Sequence, residues 1–364
     1  MIIVLKMLHQ FVCISCGQAH PGSPFLLACR KCGGAMDLAP TSELNPIDPD
    51  VTMGEGNTPL IELSKTGVAI GCSSLFAKLE FLNPTGSFKD RGTATLISQL
   101  KAMNITRIAE DSSGNAGASI AAYSARAGIQ ATIFAPTSAP EAKLAQIAFY
   151  GADIRRIPGG RQASTEACLK FCNENDVVYA SHNLSPYFIE GTKGMATEIL
   201  NEMPSPKHIL FPVGNGSLLI GSSKALDDTI LKTPGQPKPR LHAVQSEECM
   251  PLVSLYTGKN MSRKTREHNA TVAGGIAVEA PPRLYQCLEV LKKSDGTAVS
   301  VEEARIVHWQ RRVADEDGVF IEPTSAAALA GLEKLLNQGV IKPTDNVLIP
   351  LTGFGLKDAI PTQI

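Results

Sequence analysis

Asn83-Pro84-Thr85-Gly86-Ser87-Phe88-Lys89-Asp90-Arg91 lies between an apolar run (Leu75, Phe76, Ala77, Leu79) and a helix-like segment from Gly92 to Met103. The run suggests a strand, and Pro84 and Gly86 make a turn where backbone can approach a ligand closely. The stretch is therefore a strand-to-helix junction carrying one lysine. Lys89 sits near the positive end of the following helix, where an added positive charge is disfavoured, so its amine should shed a proton more readily than in water. That suits covalent chemistry with an aldehyde. A lone lysine in a first helical turn is more often simply solvated, and the choice rests on the motifs around it.

Outward from this junction, short apolar runs alternate with helix-like segments, as in a parallel sheet covered on both faces. Strands are expected at Leu75–Leu79, Arg107–Glu110, Ala131–Ala135, Asp153–Ile157 and Val177–Ala180, then at His208–Val213, Leu241–Gln245 and Val347–Leu351, with helices at Glu302–Ala314 and Thr324–Leu336. Two α/β units follow from this pattern. The expected division is 1–50 for a small first segment with its Ser42–Asp50 linker, 51–205 for the part carrying Lys89, and 206–364 for the second α/β domain. Ligands of such folds bind beyond the carboxyl ends of strands.

Three further motifs fall at that edge. Asp111-Ser112-Ser113-Gly114-Asn115-Ala116-Gly117 follows a strand and opens an alanine-rich helix ending near Gly128. Amides and hydroxyls there can hold a carboxylate, although a capped helix start reads the same way. Phe211-Pro212-Val213-Gly214-Asn215-Gly216-Ser217-Leu218 ends another strand in a glycine turn suited to a phosphate. It lacks the lysine-serine tail of a nucleoside-triphosphate loop, which points to a small phosphorylated cofactor. In Pro350-Leu351-Thr352-Gly353-Phe354-Gly355-Leu356-Lys357-Asp358, Thr352 offers an uncharged hydroxyl of the kind a neutral heteroaromatic nitrogen needs. An amine, a carboxylate cradle, a phosphate nest and a ring partner together match pyridoxal phosphate.

Near the N-terminus, Cys13-x2-Cys16 and Cys29-x2-Cys32 are each followed by glycine (Gly17; Gly33 and Gly34). This is zinc-ribbon spacing, and four cysteines leave no ligand position for water, so a structural zinc is expected. A segment this small buries too little surface to fold without such help.

Composition excludes other classes. The chain has 364 residues, 43% of them hydrophobic and 19% charged, and a net charge of -1. No apolar run approaches the ~20 residues that span a bilayer, so no membrane segment is expected. Apart from Ser262–Arg266 there is no basic stripe, and nucleic acid is not an expected partner. Met1–Leu8 is apolar but broken by Lys6 and lacks a cleavage pattern. Five scattered cysteines among an odd total of nine suit a reducing compartment, so the cytoplasm is the expected location.

On these residues the chain resembles the threonine synthase branch of the fold-type II pyridoxal-phosphate enzymes. NPTGSFKDRG, SSGNAGAS, EPTSAAALAG and LTGFGLKD are similar to that branch's signatures and occur in its order, and Gly54-Glu55-Gly56-Asn57-Thr58-Pro59-Leu60 looks like its entry motif. Some members also carry the ribbon. The resemblance implies an α/β fold of two three-layer domains, tryptophan synthase β-like, plus the zinc ribbon. It implies that Lys89 anchors the cofactor and moves protons, and that Asn115 bonds the phenolic oxygen. Gly214, Asn215, Gly216, Ser217 and Leu218 would hold the phosphate, Thr352 would face the ring nitrogen, and Ser112, Ser113 and Gly114 would take the substrate carboxylate. The implied reaction converts O-phosphohomoserine and water to threonine and phosphate, and a homodimer is implied by habit of the family.

The chain departs from that pattern in places. Ser185-Pro186-Tyr187-Phe188 stands where an arginine is usual, removing one cation that would meet a phosphorylated substrate. Ser217 and Leu218 replace a usual glycine and asparagine, and Gly275–Pro282 is closer to some amino-acid dehydratases. A β-elimination or β-replacement enzyme, dehydratase-like or cysteate synthase-like, is thus the alternative reading. A non-catalytic zinc-ribbon binding protein is a further one.

Overall fold

The computed structural model describes residues 9–139, 141–203, 206–232, 235, 237–259 and 271–358, with backbone alone at 142 and 230–232. Met1–Leu8, the Ser262–Arg266 run and part of the proline-rich Thr233–Pro239 loop lie outside them. In chain order the strands are β1 (Gln10–Cys13), β2 (Ala19–Pro21), β3 (Met36–Leu38), β4 (Leu60–Glu62), β5 (Leu75–Lys78), β6 (Arg107–Glu110), β7 (Gln130–Pro136), β8 (Asp153–Ile157), β9 (Val178–Tyr179), β10 (His208–Pro212), β11 (Arg240–Ser246), β12 (Ala298–Val301) and β13 (Val347–Pro350). The α-helices are α1 (Ser64–Ile70), α2 (Lys89–Ala102), α3 (Asn115–Ala127), α4 (Glu141–Phe149), α5 (Arg161–Asn175), α6 (Pro186–Gly191), α7 (Lys193–Glu202), α8 (Ser217–Lys232), α9 (Pro251–Thr257), α10 (Leu284–Lys293), α11 (Glu303–Asp317) and α12 (Pro323–Asn337).

Every strand read from the sequence is present, with each end within one residue of the expected one. The reason is burial: β10 and β13 are almost wholly buried, so they read as near-continuous apolar runs. The N-terminal strands, β4, β12 and the shorter helices carry too little pattern to stand out.

The chain divides into two compact units that interleave. One comprises the described part of Met1–Glu55 together with Lys89–Thr192; the other comprises Gly56–Phe88 and the described part of Lys193–Ile364.

In the first unit, β8-β7-β6-β9 form a parallel sheet with Ile108 opposite both Ala131 and Val178. Strand order reverses between β6 and β9, which makes their carboxyl ends a switch point where α/β folds bind ligands. The same unit carries a small antiparallel sheet, β2-β1-β3, whose Phe11, Cys13, Leu26, Cys29 and Met36 join the apolar core of α2 and α3. Phe11 meets Tyr187 of α6 edge-on, with ring centroids 5.3 Å apart.

In the second unit the order is β12-β11-β10-β13-β5-β4. Five strands are parallel, whereas β4 pairs antiparallel with β5, placing Ile61 opposite Ala77. The parallel sheet expected from the sequence is present, and a short antiparallel strand that the sequence did not reveal closes one edge. Here the reversal of order falls between β10 and β13.

Candidate active site

Lys89 is the first residue of α2, one peptide beyond the second unit's last residue in that segment, Phe88. The turn that delivers it is pinned in the second unit. Ser87 bridges Gly353, the Phe88 amide donates to the Thr352 carbonyl at 3.1 Å, and Lys357 Nζ donates to the Thr85 carbonyl at 2.6 Å. Gly86 has φ +87, a conformation glycine takes without strain.

In the first unit, Lys89 Nζ lies 5.7 Å from the centroid of Phe188, which is fully buried on α6. A Cβ on Gly92 would come within 2.7 Å of three Phe188 ring atoms, and one on Gly191 within 2.4 Å of the Arg91 carbonyl. The two glycines let α2 and α6 cross closely and hold the ring against the start of α2.

Ser112, Ser113 and Gly114 follow β6, and Asn115 is the first residue of α3. Ser112 Oγ accepts from the Gly114 amide at 3.3 Å. A Cβ on Gly117 would lie 1.8 Å from the Ser112 carbonyl, so the loop rests directly on the helix. α3 stops at Gly128, whose φ of +71 forms the left-handed cap expected there.

A buried pair at this edge escaped the reading of the sequence. Glu110 Oε1 lies 2.6 Å from His182 Nδ1, and both side chains are buried. Burial, then the neighbouring Asp111, raises the Glu110 carboxyl well above its usual range; burial, then the charges of Lys89 and Arg161, holds His182 well below its own. Both directions favour the uncharged forms. Asp111 accepts from Tyr179 at 2.9 Å and from Thr165. Glu110, Asp111 and His182 cluster closely enough to suggest a metal; Glu110 Oε1, His182 Nδ1 and both Asp111 oxygens have protein partners, while Glu110 Oε2 is buried without a hydrogen bond.

In the second unit, Gly214, Asn215 and Gly216 follow β10 and lead directly into Ser217 and Leu218 at the start of α8. A Cβ on Gly214 would lie 2.9 Å from the Gly275 carbonyl, and one on Gly216, at φ +81, only 2.1 Å from Cys287 Sγ. Leading amides of a helix have no acceptor within it, so this cradle suits an anion. Thr352 lies two residues beyond the neighbouring strand, β13.

The start of α12 ties these two motifs together. Thr324 Oγ1 accepts from the Gly275 amide at 3.0 Å, beneath Gly214, while Ser325 Oγ and Glu322 Oε1 lie 3.0 and 3.3 Å from Thr352 Oγ1. The EPTS stretch was visible as a signature, but its sequence gives no sign that it contacts both loops.

Cys13, Cys16, Cys29 and Cys32 also come together, their Sγ atoms all within 4.8 Å of one another. Cys13 to Cys32 is 3.5 Å and Cys16 to Cys29 is 3.8 Å. A tetrahedron with metal–sulfur bonds of about 2.3 Å has edges of about 3.8 Å, so the cluster fits zinc. Gly17 and Gly33, at φ +69 and +74, close the two knuckles through amides bonded to Cys13 and Cys29. Burial opposes ionisation of Cys13, yet the amides of Cys16 and Ser15 bring its thiol down to about 6.

The strand-end motifs lie at the switch points where α/β folds bind ligands, and their glycine turn before α8 is suited to an anion. A model of the pyridoxal-phosphate dependent enzymes matches residues 51–353, and the chain belongs to that family. It is 35% identical to the threonine synthase of Bacillus sp. over 86% of this chain and 87% of that protein. With the threonine synthase of Methanosarcina acetivorans it shares 29% identity over 96% of this chain and 93% of that one.

Among solved structures, O-ureido-L-serine synthase is similar at a TM-score of 0.71, with 20% identity over 86% of this chain and 93% of that one. Maize serine racemase is similar at 0.69, with 22% identity over 82% and 88%. These likenesses bear out the fold-type II expectation. Among the described residues, no helix is long and apolar enough to cross a membrane.

Proposed function

We propose that the protein is a threonine synthase-like lyase acting on a small amino acid, O-phosphohomoserine being the substrate that best fits its relatives. The observation that carries this reading is Lys89 as the opening residue of α2, within a turn bonded to Thr352 and Lys357. Choice of substrate rests on the 35% identity to a threonine synthase over most of the chain.

Bound pyridoxal phosphate supplies an aldehyde for amines and a ring that withdraws electrons. Lys89 is its covalent anchor and carries protons to and from the substrate carbons at Nζ. The Gly214–Leu218 amides hold its phosphate, a role supported by their place at the start of α8, where leading amides have no acceptor within the helix. Thr352 faces its ring nitrogen and Asn115 its phenolic oxygen. Ser112, Ser113 and Gly114 take the substrate carboxylate. Zinc held by Cys13, Cys16, Cys29 and Cys32 is structural, and the chain works as a cytoplasmic homodimer.

Phe188 favours a second reading. An apolar ring faces Lys89 from the segment where an arginine would help hold a substrate phosphate, which suits β-elimination from serine or threonine instead. Assays of phosphate release from O-phosphohomoserine and keto-acid release from serine and threonine separate the two. Phosphate release is expected, and keto acid without phosphate overturns the first reading. Lys89→Ala should abolish either activity and the absorbance band of lysine-bound cofactor while the circular dichroism spectrum survives; full activity in that variant would refute the assigned role.

A further inference from the structure

The two cysteine knuckles share one hydrogen-bond plan, and the second adds to it. In each, a buried first cysteine is met by the amides two and three places on: Ser15 and Cys16 for Cys13, Lys31 and Cys32 for Cys29. The Lys31 amide donates to Cys29 Sγ at 3.4 Å. Cys29 has a further partner from outside its knuckle, His20, whose Nε2 lies 3.3 Å from the same sulfur.

His20 is not placed as a ligand itself. The atoms close enough to share one ion are the four sulfurs, all within 4.8 Å of one another, and the ring meets one of them from outside. Strand β2 fixes it there. His20 lies opposite Phe11 in the ladder with β1, and Phe11 is fully buried against Tyr187. The imidazole is thus aimed at the sulfur by backbone that the core of the unit holds.

A cysteine bound to zinc is a thiolate and has no proton to give, so the hydrogen between the two atoms sits on Nε2 and the bond is charge-assisted. Four thiolates more than cancel the charge of one zinc, which leaves the centre negative. With Cys13 and Cys29 buried, that charge needs donors around it. We propose that His20 is a positioning residue for the metal: its Nε2–H braces the Cys29 thiolate, spreads the charge of the centre and tightens its hold on zinc. This rests on the zinc reading above and extends the site to a residue beyond the four cysteines. Partners of this outer kind orient the ligands they touch and tune the metal they hold.

The experiment uses the full chain loaded with zinc, which is then titrated away with a chelator of known affinity. His20→Leu keeps bulk at the position but has no N–H, and should bind zinc about 10–100-fold more weakly. His20→Gln puts an amide N–H where Nε2 was and should stay close to the wild type. Cobalt(II) in the same site reports on the sulfur itself: the sulfur-to-metal charge-transfer band should move to longer wavelength in His20→Leu and hold its place in His20→Gln. A role in packing alone would leave that band where it is. If the leucine variant does not fold, His20→Asn, whose amide is too short to reach the sulfur, takes its place. Wild-type affinity or an unmoved band in the folded donor-free variant overturns the proposal, as does a glutamine variant that binds zinc as weakly as the donor-free one. A wild-type chain that holds no zinc at the four cysteines overturns the reading beneath it instead.

Discussion

Lys89 Nζ faces Phe188 across 5.7 Å, and the ring is held there by the absence of a side chain at Gly92. A methyl group at residue 92 would occupy the ring's place. Gly92→Ala should therefore lower stability by about 1–3 kcal/mol, the usual range for overpacking a filled core. Urea unfolding measures it. Phe188→Leu in the same chain should recover part of the loss, and additive effects of the two changes would show that they do not meet.

The glycine turn before α8 offers a second test. Gly216→Ala combines a left-handed φ with a Cβ 2.1 Å from the Cys287 sulfur. Affinity for pyridoxal phosphate, followed by absorbance titration, should fall at least tenfold, corresponding to about 1.4 kcal/mol. Unchanged affinity would remove this loop from the phosphate site.

Metal should matter through packing. The ribbon's Phe11 and His9 both meet Tyr187 edge-on, at 5.3 and 5.6 Å, and the next residue on that helix is Phe188. One zinc per chain is expected by elemental analysis. Chelation or Cys16→Ser should lower the melting temperature by several degrees, as roughly 1 kcal/mol shifts a domain of 150–250 residues by about 2–4 °C. A metal-free chain of full stability would exclude a structural zinc.

Acid should weaken the second unit through one hydrogen-bonded line. The Thr297 amide donates to His242 Nδ1, so His242 Nε2 donates to His208 Nδ1 at 2.9 Å, and His208 Nε2 donates to Asp345 at 3.2 Å. Burial holds His208 below its usual 6.5 and His242 down to about 3. Burial works the other way on Asp345, but Lys207 and the Lys342 amide bring it down to about 2.

All three groups have folded values below their unfolded ones, so their stabilisation is complete above pH 6.5. It is lost as pH falls, first through the histidines and then, below about 3.8, through Asp345. His242→Gln should flatten the decline between pH 6 and 4 by about 1.4 kcal/mol per pH unit, the slope of one proton taken up only by the unfolded chain. Denaturant midpoints across that range supply the measurement.

The strand ends carrying the motifs around Ser112, Gly214 and Thr352 were legible because buried parallel strands are plain apolar runs that stop at glycines and hydroxyls. What lay hidden depends on distance along the chain. Glu110 and His182 are 72 residues apart, and neither has a local pattern that announces the other. The acid at 322 reads as a helix-flanking residue until the fold brings it to Thr352. β4 is three residues long and its antiparallel pairing is set by β5, so no periodicity could reveal it. The alternation of strands and helices is equally blind to the path that makes each compact unit from two separate stretches.

The position of β13 has a consequence for how the polypeptide is made. Residues 347–350 insert between β10 and β5, joining strands synthesised long before them. Until they leave the ribosome, both neighbours present bare backbone edges, the kind of surface on which unfinished chains stick to one another. A nonsense codon upstream of Val347 would thus leave a gap in the middle of the sheet, and its product should be insoluble and cleared by proteases.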